Sequence, residues 1–327
     1  MVAKVPKPCV IGVDLGGTKL LAGAVDGDLR VHHRSVRSSR GSDTAEVLAI
    51  LEGAIREAIE AVGGRVEAVG IGIPSTIDAS RGVSVYSTHL PLAGVPVASI
   101  LSERLGIPVL MDNDANLALL VEHRAGAAEG ARNALMLTLG TGIGGGIIVE
   151  DRLYRGSQGA AGELGHIVVE QDGPPCQGNC PNRGCLEVMA SGSALVREAT
   201  AMAGERPRSA LARALAHGQG ITGPLVTELA FDGDQAAQDV LALIGRRLGV
   251  GLSSLVNVFN PDVIVIGGGV VAAGEYVLGP ARREMVARGL PPGRDHARVV
   301  ATRFGEESGM LGAALLAHDA IDAPTAV

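Results

Sequence analysis

Ile11-Gly12-Val13-Asp14-Leu15-Gly16-Gly17-Thr18 and Leu135-Met136-Leu137-Thr138-Leu139-Gly140-Thr141-Gly142 lie 124 residues apart and align without a gap. Each is an apolar run that ends in Leu-Gly. Each then turns through small residues into a second apolar run, at 20–25 or 146–149. Later in each half a further strand ends at glycine, at 68–72 and again at Val263–Gly267. Two matching features in one order point to a duplicated α/β unit. Paired strand–glycine–strand hairpins suit a phosphate clamp, because glycine lets backbone N–H groups turn inward and lets the chain approach an anion closely. Either turn alone reads equally well as a tight hairpin. Asp14 closes the first strand and could hold Mg²⁺ through water.

Around these turns the chain alternates strand and helix, which predicts mostly parallel α/β sheets. Strands are expected at Cys9–Leu15, Val66–Ile73, 108–111, Ala134–Leu139, 147–150 and 263–266. Helices are expected at 42–62, 97–104, 113–127, 194–217, Gln235–Phe259 and 308–319. In the first helix Val47, Leu48, Leu51, Ile55, Ala58, Ile59 and Val62 share one face, and Asp43 with Glu46 reads as a capping pair. The stretch 162–187 is irregular and holds most of the polar chemistry.

The 327 residues predict about two domains. With 28 Lys+Arg against 35 Asp+Glu, the net charge of −7 argues against nucleic-acid binding. Aromatics at 2%, with no Trp, argue against a stacking platform for single strands. A 46% hydrophobic content excludes intrinsic disorder. The N-terminus lacks the apolar core of a signal peptide. The uncharged stretches 133–149 and 263–274 are broken by glycines, so no membrane helix is expected. These features predict a soluble, cytoplasmic protein.

Gly140-Thr141-Gly142-Ile143-Gly144-Gly145 contains G-x-G-x-x-G, but the dinucleotide fingerprint needs a helix after it. Ile147-Ile148-Val149 reads as strand, so that reading fails. There is no G-x-x-x-x-G-K-[ST] and no protein-kinase signature set. In Asp112-Asn113-Asp114-Ala115-Asn116 a carboxylate sits where a strand gives way to a helix. It could orient a hydroxyl nucleophile and take its proton; alternatively, Asp112, Asn113 or Asp114 simply caps the helix. His166, Cys176, Cys180 and Cys185 offer three thiolates and one imidazole, a usual structural Zn²⁺ set. A redox pair or buried thiols are the alternatives, and Cys9 reads as core.

Asp14-Leu15-Gly16-Gly17-Thr18-Lys19 resembles the first phosphate motif of sugar kinases built on the actin/hexokinase-type ATPase fold. More narrowly, the chain resembles the ROK family (repressor, open reading frame, kinase) and its bacterial glucokinases. The resemblance runs from about Val10 to the 305–317 segment. Its most specific parts are residues 112–116, Glu163-Leu164-Gly165-His166 and the cysteine cluster.

The resemblance implies an α/β fold of two ribonuclease H-like duplicated lobes with the active cleft between them. The small lobe would span 1–117, completed by 301–327, and the large lobe 118–300. It implies transfer of the ATP γ-phosphoryl group to the 6-hydroxyl of a hexose, glucose first, with closure of the lobes excluding water. Asp114 would be the base. Asn113, Glu163, His166 and Glu187 would bind the sugar. Gly16, Gly17, Thr18, Lys19, Gly140, Thr141 and Gly142 would cradle phosphates, with Asp14 near Mg²⁺ and Gly267, Gly268 and Gly269 at the adenosine. One structural Zn²⁺ would sit on His166, Cys176, Cys180 and Cys185. A homodimer or homotetramer would be the working form.

Two positions depart from the family pattern. His89-Leu90 stands where the family usually has an Asn-Leu pair contacting the sugar, so His89 is a candidate specificity residue. Cys176-Gln177-Gly178-Asn179-Cys180 replaces the usual Cys-x-Cys, adding two residues to the metal loop. Rival readings are a kinase for fructose, mannose, allose or N-acetylmannosamine, polyphosphate or ADP as donor, and a non-catalytic sugar sensor. A sugar-responsive repressor would need an N-terminal helix-turn-helix domain, for which a first strand beginning near Cys9 leaves no room.

Overall fold

A computed structural model of the chain describes residues 9–87 and 90–322. The chain separates into two compact units. The first comprises Met1–Gly126, Leu153–Ala161 and Glu307–Val327, and the second Ala127–Arg152 and Gly162–Glu306. The expected boundary at 117 falls inside a helix that runs unbroken to Ala125.

The first unit begins with β1 (Cys9–Leu15), β2 (Lys19–Asp26) and β3 (Val31–Ser38), followed by α1 (Thr44–Ala61) and β4 (Val66–Ile73). Then come β5 (Thr76–Asp78), β6 (Val83–Tyr86), α2 (Val97–Leu105), β7 (Val109–Asn113) and α3 (Asp114–Ala125). Helix α1 starts as its sequence dictates: the Asp43 carboxylate accepts the Glu46 N–H at 2.9 Å, and Glu46 reaches back to the Ser42 N–H at 2.7 Å. Its buried face is Val47, Leu48, Leu51, Ala54, Ile55 and Ala58. Spacings of three and four make that stripe.

In the second unit β8 (Ala134–Leu139), β9 (Ile143–Val149) and β10 (Arg152–Leu153) precede α4 (Leu186–Ala190), α5 (Gly192–Glu205), α6 (Ala210–Ala216) and α7 (Gly223–Phe231). The long α8 (Gln235–Phe259) leads into β11 (Val263–Gly267), α9 (Glu275–Arg288), α10 (Gly293–His296) and β12 (Arg298–Ala301). Helix α11 (Ser308–Asp322) then packs on β1, β4 and α3 of the first unit.

Among the described residues the first sheet runs β3-β2-β1-β4-β7 and the second β10-β9-β8-β11-β12. In each, the first member of an antiparallel hairpin pairs in parallel with a third strand, which pairs in parallel with an edge strand beyond it. The repeated order is the physical form of the 124-residue echo. It is not a perfect copy. Leu15 pairs with Leu20, whereas Leu139 pairs with Ile143, so the second turn is one residue shorter.

Two expected elements take other forms. The helix expected over 194–217 is two helices, α5 and α6, with Pro207 in the gap. Proline lacks the N–H a continuing helix would use. The strand expected at 147–150 begins at Ile143, because the glycines read as a turn pair with β8 as strand.

Candidate active site

The carboxyl ends of β1, β4 and β7 lie side by side in the first unit, with Asp14 in register with Gly72 and Gly72 with Asp112. Ligands of open α/β sheets gather at such strand ends. Here β7 runs directly into α3. Asn113 is the N-cap, its Oδ1 accepting the N–H groups of Ala115 at 2.9 Å and Asn116 at 3.2 Å. Asp114 is therefore the first residue of α3, where the helix N-terminus favours a carboxylate. A Cβ on Gly72 would lie 3.3 Å from the Asp114 Cα, so the missing side chain lets α3 start against β4. Asn113 Nδ2 donates to the Ser75 carbonyl at 3.3 Å, and that amide carries a second hydrogen for a ligand.

Beneath this turn lies an ion pair that the sequence did not reveal. Asp112, 2% exposed, accepts the Asn113 N–H at 2.7 Å and Asn116 Nδ2 at 3.1 Å through Oδ1. Its Oδ2 takes Arg155 twice, from Nε at 2.7 Å and Nη2 at 2.6 Å. Arg155 is about a third exposed, but the Asp112 carboxylate is buried, so losing the guanidinium would leave that charge without its ionic partner. The pair thus fixes the backbone that carries Asn113 and Asp114. Arg155 lies 43 residues further on, in the 153–161 excursion, where no local pattern marks it.

Asp14 is partly buried at the end of β1. Burial first, and the Asp114 charge second, push its carboxyl up to about 7, against the lowering pull of Lys19. The start of α11 lies against it: a Cβ on Gly309 would fall 2.5 Å from Asp14 Oδ2. The adjoining turn is closed by the Gly16 N–H donating to the Lys19 carbonyl at 2.9 Å, with Gly17, Thr18 and Lys19 exposed.

In the second unit the matching turn, Gly140 to Gly142, is held from two sides. The N–H of Gly192 donates to the Gly140 carbonyl at 2.7 Å and Ser193 Oγ to the Thr141 carbonyl at 2.8 Å. Glu187, in the first turn of α4, accepts the Ile143 N–H on Oε2 at 2.8 Å. That oxygen would lie 2.3 Å from a Cβ on Gly142, so a side chain there would push the carboxylate off the Ile143 amide. Gly267 ends β11, and Gly268, at φ 82°, passes so close to Leu139 that a Cβ would meet its carbonyl oxygen at 2.4 Å.

His166, Cys176, Cys180 and Cys185 converge, with all four donor atoms within 4.8 Å of one another. Cys176 Sγ is 3.6 Å from His166 Nδ1, and Cys180 Sγ is 3.8 Å from Cys185 Sγ. A tetrahedral zinc with bonds of about 2.3 Å to sulfur and 2.05 Å to nitrogen would set those edges at about 3.8 Å and 3.6 Å. The donor set and its dimensions are thus compatible with structural zinc. Without a cation, burial and the neighbouring thiols push Cys176 up to about 12. The lengthened loop does not spoil the set. Pro175 bridges to Arg183 and the Cys176 N–H donates to the Asn182 carbonyl at 2.9 Å, so the extra residues sit in a hairpin tip. His166 Nε2 lies 3.8 Å from Glu163 Oε2.

The model of the ROK family matches residues 10–320. The chain belongs to the ROK family. It is 37% identical to a glucokinase of Streptomyces coelicolor, over 94% of this chain and 97% of that one. A crystal structure of a ROK family glucokinase from Streptomyces griseus, in complex with glucose and AMPPNP, is 37% identical and superposes with a TM-score of 0.86, covering 95% of this chain and 99% of that one. A ROK hexokinase from Thermus thermophilus is 36% identical, with a TM-score of 0.75 over 97% and 100% of the two chains. The fold is thus the actin/hexokinase-like ATPase fold.

In this ROK chain the expected site residues fall into groups. Asp14, Gly16, Gly17, Thr18, Lys19, Asn113 and Asp114 belong to the first unit. Gly140, Thr141, Gly142, Glu163, His166, Glu187, Gly267, Gly268, Gly269 and the three metal-site cysteines belong to the second. His89 lies outside the described residues. No helix of the described residues is long and apolar enough to cross a membrane.

Proposed function

We propose that the protein is an ATP- and Mg²⁺-dependent glucokinase, transferring the γ-phosphoryl group of ATP to the 6-hydroxyl of glucose. The observation that carries this reading is Asp114 at the first position of α3, fixed by the Asn113 cap and the Asp112–Arg155 pair. The ROK glucokinase crystallised with glucose and AMPPNP, which this chain matches over nearly its full length, supports it.

Asp114 orients the 6-hydroxyl and takes its proton as the oxygen–phosphorus bond forms, while the bond to the β-phosphate oxygen breaks and ADP leaves. The sugar is held by the second hydrogen of Asn113 Nδ2, by Glu163, by His166 Nε2 and by Glu187. The glycine turns at 16–19 and 140–142 take the phosphates, and Gly267, Gly268 and Gly269 take the adenosine. Asp14, at the end of β1 beside the 16–19 turn, would hold Mg²⁺, which neutralises charge on the phosphates. A zinc on His166 Nδ1 and the three thiolates would hold the pocket in shape and perform no chemistry, since four protein ligands leave no open position. The working form is a cytoplasmic homo-oligomer, a dimer or tetramer.

The test is a coupled assay of ADP release with Mg·ATP and glucose, fructose, mannose, allose and N-acetylmannosamine. Glucose should give the highest kcat/KM. A different leading sugar would move the specificity, and no turnover with any sugar would refute the kinase reading.

Asp14 makes the reaction pH-dependent in a defined direction. Below about 7 its carboxyl is protonated in the metal-free protein, so Mg·ATP must displace a proton. The KM for Mg·ATP should rise as pH falls from 8 to 6, approaching about tenfold per unit below the pKa, with the glucose KM little changed. Stability runs the other way. A carboxyl whose folded pKa exceeds its unfolded value of 3.8 loses stability as pH rises toward 7. Asp14→Asn should therefore raise the melting temperature of the metal-free protein more at pH 8 than at pH 5, while removing most activity. An unchanged pH profile in Asp14→Asn would exclude this origin.

A further inference from the structure

Glu187 meets the β8–β9 turn through one of its two carboxylate oxygens. Oε2 holds the Ile143 N–H at 2.8 Å and lies against the Gly142 backbone. The other contacts of that turn set its polarity. The Gly140 and Thr141 carbonyls face the start of α5, bonded to the Gly192 N–H and to Ser193 Oγ. A trans peptide is planar, with its N–H opposed to its C=O. The N–H groups of Thr141 and Gly142 therefore point away from α5, to the side where a phosphate is cradled. A carboxylate at this turn has a mixed effect: it fixes Ile143, yet its charge opposes an arriving phosphate.

We propose that Glu187 couples the sugar to the nucleotide: Oε2 holds the β8–β9 turn by the Ile143 amide while Oε1 takes a sugar hydroxyl. This rests on the glucokinase reading and deepens it. A hydroxyl donated to Oε1 draws charge away from the turn and locks the carboxylate in the orientation that holds Ile143. Each ligand then tightens the other. ATP phosphates meet a less repulsive and better ordered turn once the sugar is seated, so water has less chance to take the phosphoryl group. Glu163, 3.8 Å from His166 Nε2, has no bond to this turn among its described contacts, and serves as the internal control.

The experiment is calorimetric titration of the full-length, zinc-replete protein with Mg·AMPPNP, with and without saturating glucose. Saturating glucose should tighten AMPPNP binding about tenfold, within the usual range of coupling between sites, and AMPPNP should tighten glucose by the same factor. Glu163→Ala should weaken glucose yet keep that factor. Glu187→Ala should bring it to about one, because the link is gone. Should Glu187→Ala fail to fold, as its zinc content and melting temperature would reveal, Glu187→Gln decides. It keeps an acceptor for Ile143 but loses the charge, so AMPPNP should bind more tightly than in wild type without glucose, with a smaller coupling factor. A wild-type factor of one, or full coupling in Glu187→Gln, overturns the proposal. No saturable glucose binding to wild type overturns the glucokinase reading itself, so the two failures are told apart.

Discussion

Asp114→Ala should lower kcat by about 10²–10⁴-fold, the usual contribution of a positioned general base, while glucose still binds. The structure allows this variant to be read cleanly. The Ala115 N–H reaches both Asn113 Oδ1 and Asp114 Oδ1 at 2.9 Å, so the substitution still leaves the first-turn N–H groups of Ala115 and Asn116 satisfied by Asn113. It removes a favourable charge–dipole interaction worth about 0.3–1 kcal/mol, too little to unfold the unit. It also relieves Asp14, whose raised pKa owes part of its shift to Asp114. The variant should therefore melt no lower than about 1 kcal/mol of destabilisation implies. Asp114→Asn should be as inactive as Asp114→Ala, since the amide keeps the shape but cannot take a proton. The check is ADP release at saturating glucose and Mg·ATP, with glucose affinity measured separately. A loss smaller than tenfold in either variant would remove Asp114 from the base role.

The parts of the fold legible in the sequence are those whose physics is local. Gly16 and Gly140 end strands at corresponding places, and the strands Val66–Ile73 and Ala134–Leu139 and the helix Gln235–Phe259 show in apolar runs and periodicity. The echo announced a duplication, and the repeated sheet order is its structural form. Strand β3 was not legible: Val31-His32-His33-Arg34 lies at a sheet edge, half exposed, and has no apolar stripe to betray it. Helix α9 has no clean amphipathic pattern and carries Pro280 inside it. In the site, Asp114 and the metal cluster announce themselves by residue type and spacing. The Arg155–Asp112 pair and the Glu187–Ile143 bond do not, because they join residues 43 and 44 positions apart through tertiary packing alone. The Asx cap shows the opposite case. Asn113 reads from the sequence both as a sugar ligand and as a helix cap; its side-chain carbonyl caps α3, and its amide is left for a ligand.

Protein prepared without chelators should contain about one zinc per chain, and its removal should damage sugar binding far more than the fold. The reason lies in where the four ligands sit. His166 ends the short turn that begins after Glu163, and Cys185 caps α4 immediately before Glu187. One cation would therefore fix three of the four expected sugar ligands. Backbone bonds alone do this weakly: the Leu186 N–H donates to the Ile167 carbonyl and the Val169 N–H to the Gly184 carbonyl, each at 2.9 Å. The apolar support is a small cluster of Cys185, Val188 and Met189, packed by Val169, Cys176 and Cys180, in which the thiols are half of the material. The main core of this unit, built on β8, β11 and α8, includes none of the three thiols. Zinc-finger peptides draw about 10–16 kcal/mol of apparent folding free energy from their metal and are unfolded without it. Here most of the unit has its own core, so the loss stays local. Cys180→Ser, a change at the rim of the cluster, should raise the glucose KM by about 10–100-fold, as losing support of a metal site commonly does. The 170–184 loop should become cleavable by trypsin at Arg183, while the melting transition of the unit persists. Metal analysis finding under about 0.2 zinc per chain, or a Cys180→Ser variant with an unchanged glucose KM, would contradict a tetrahedral site of four protein ligands holding this pocket.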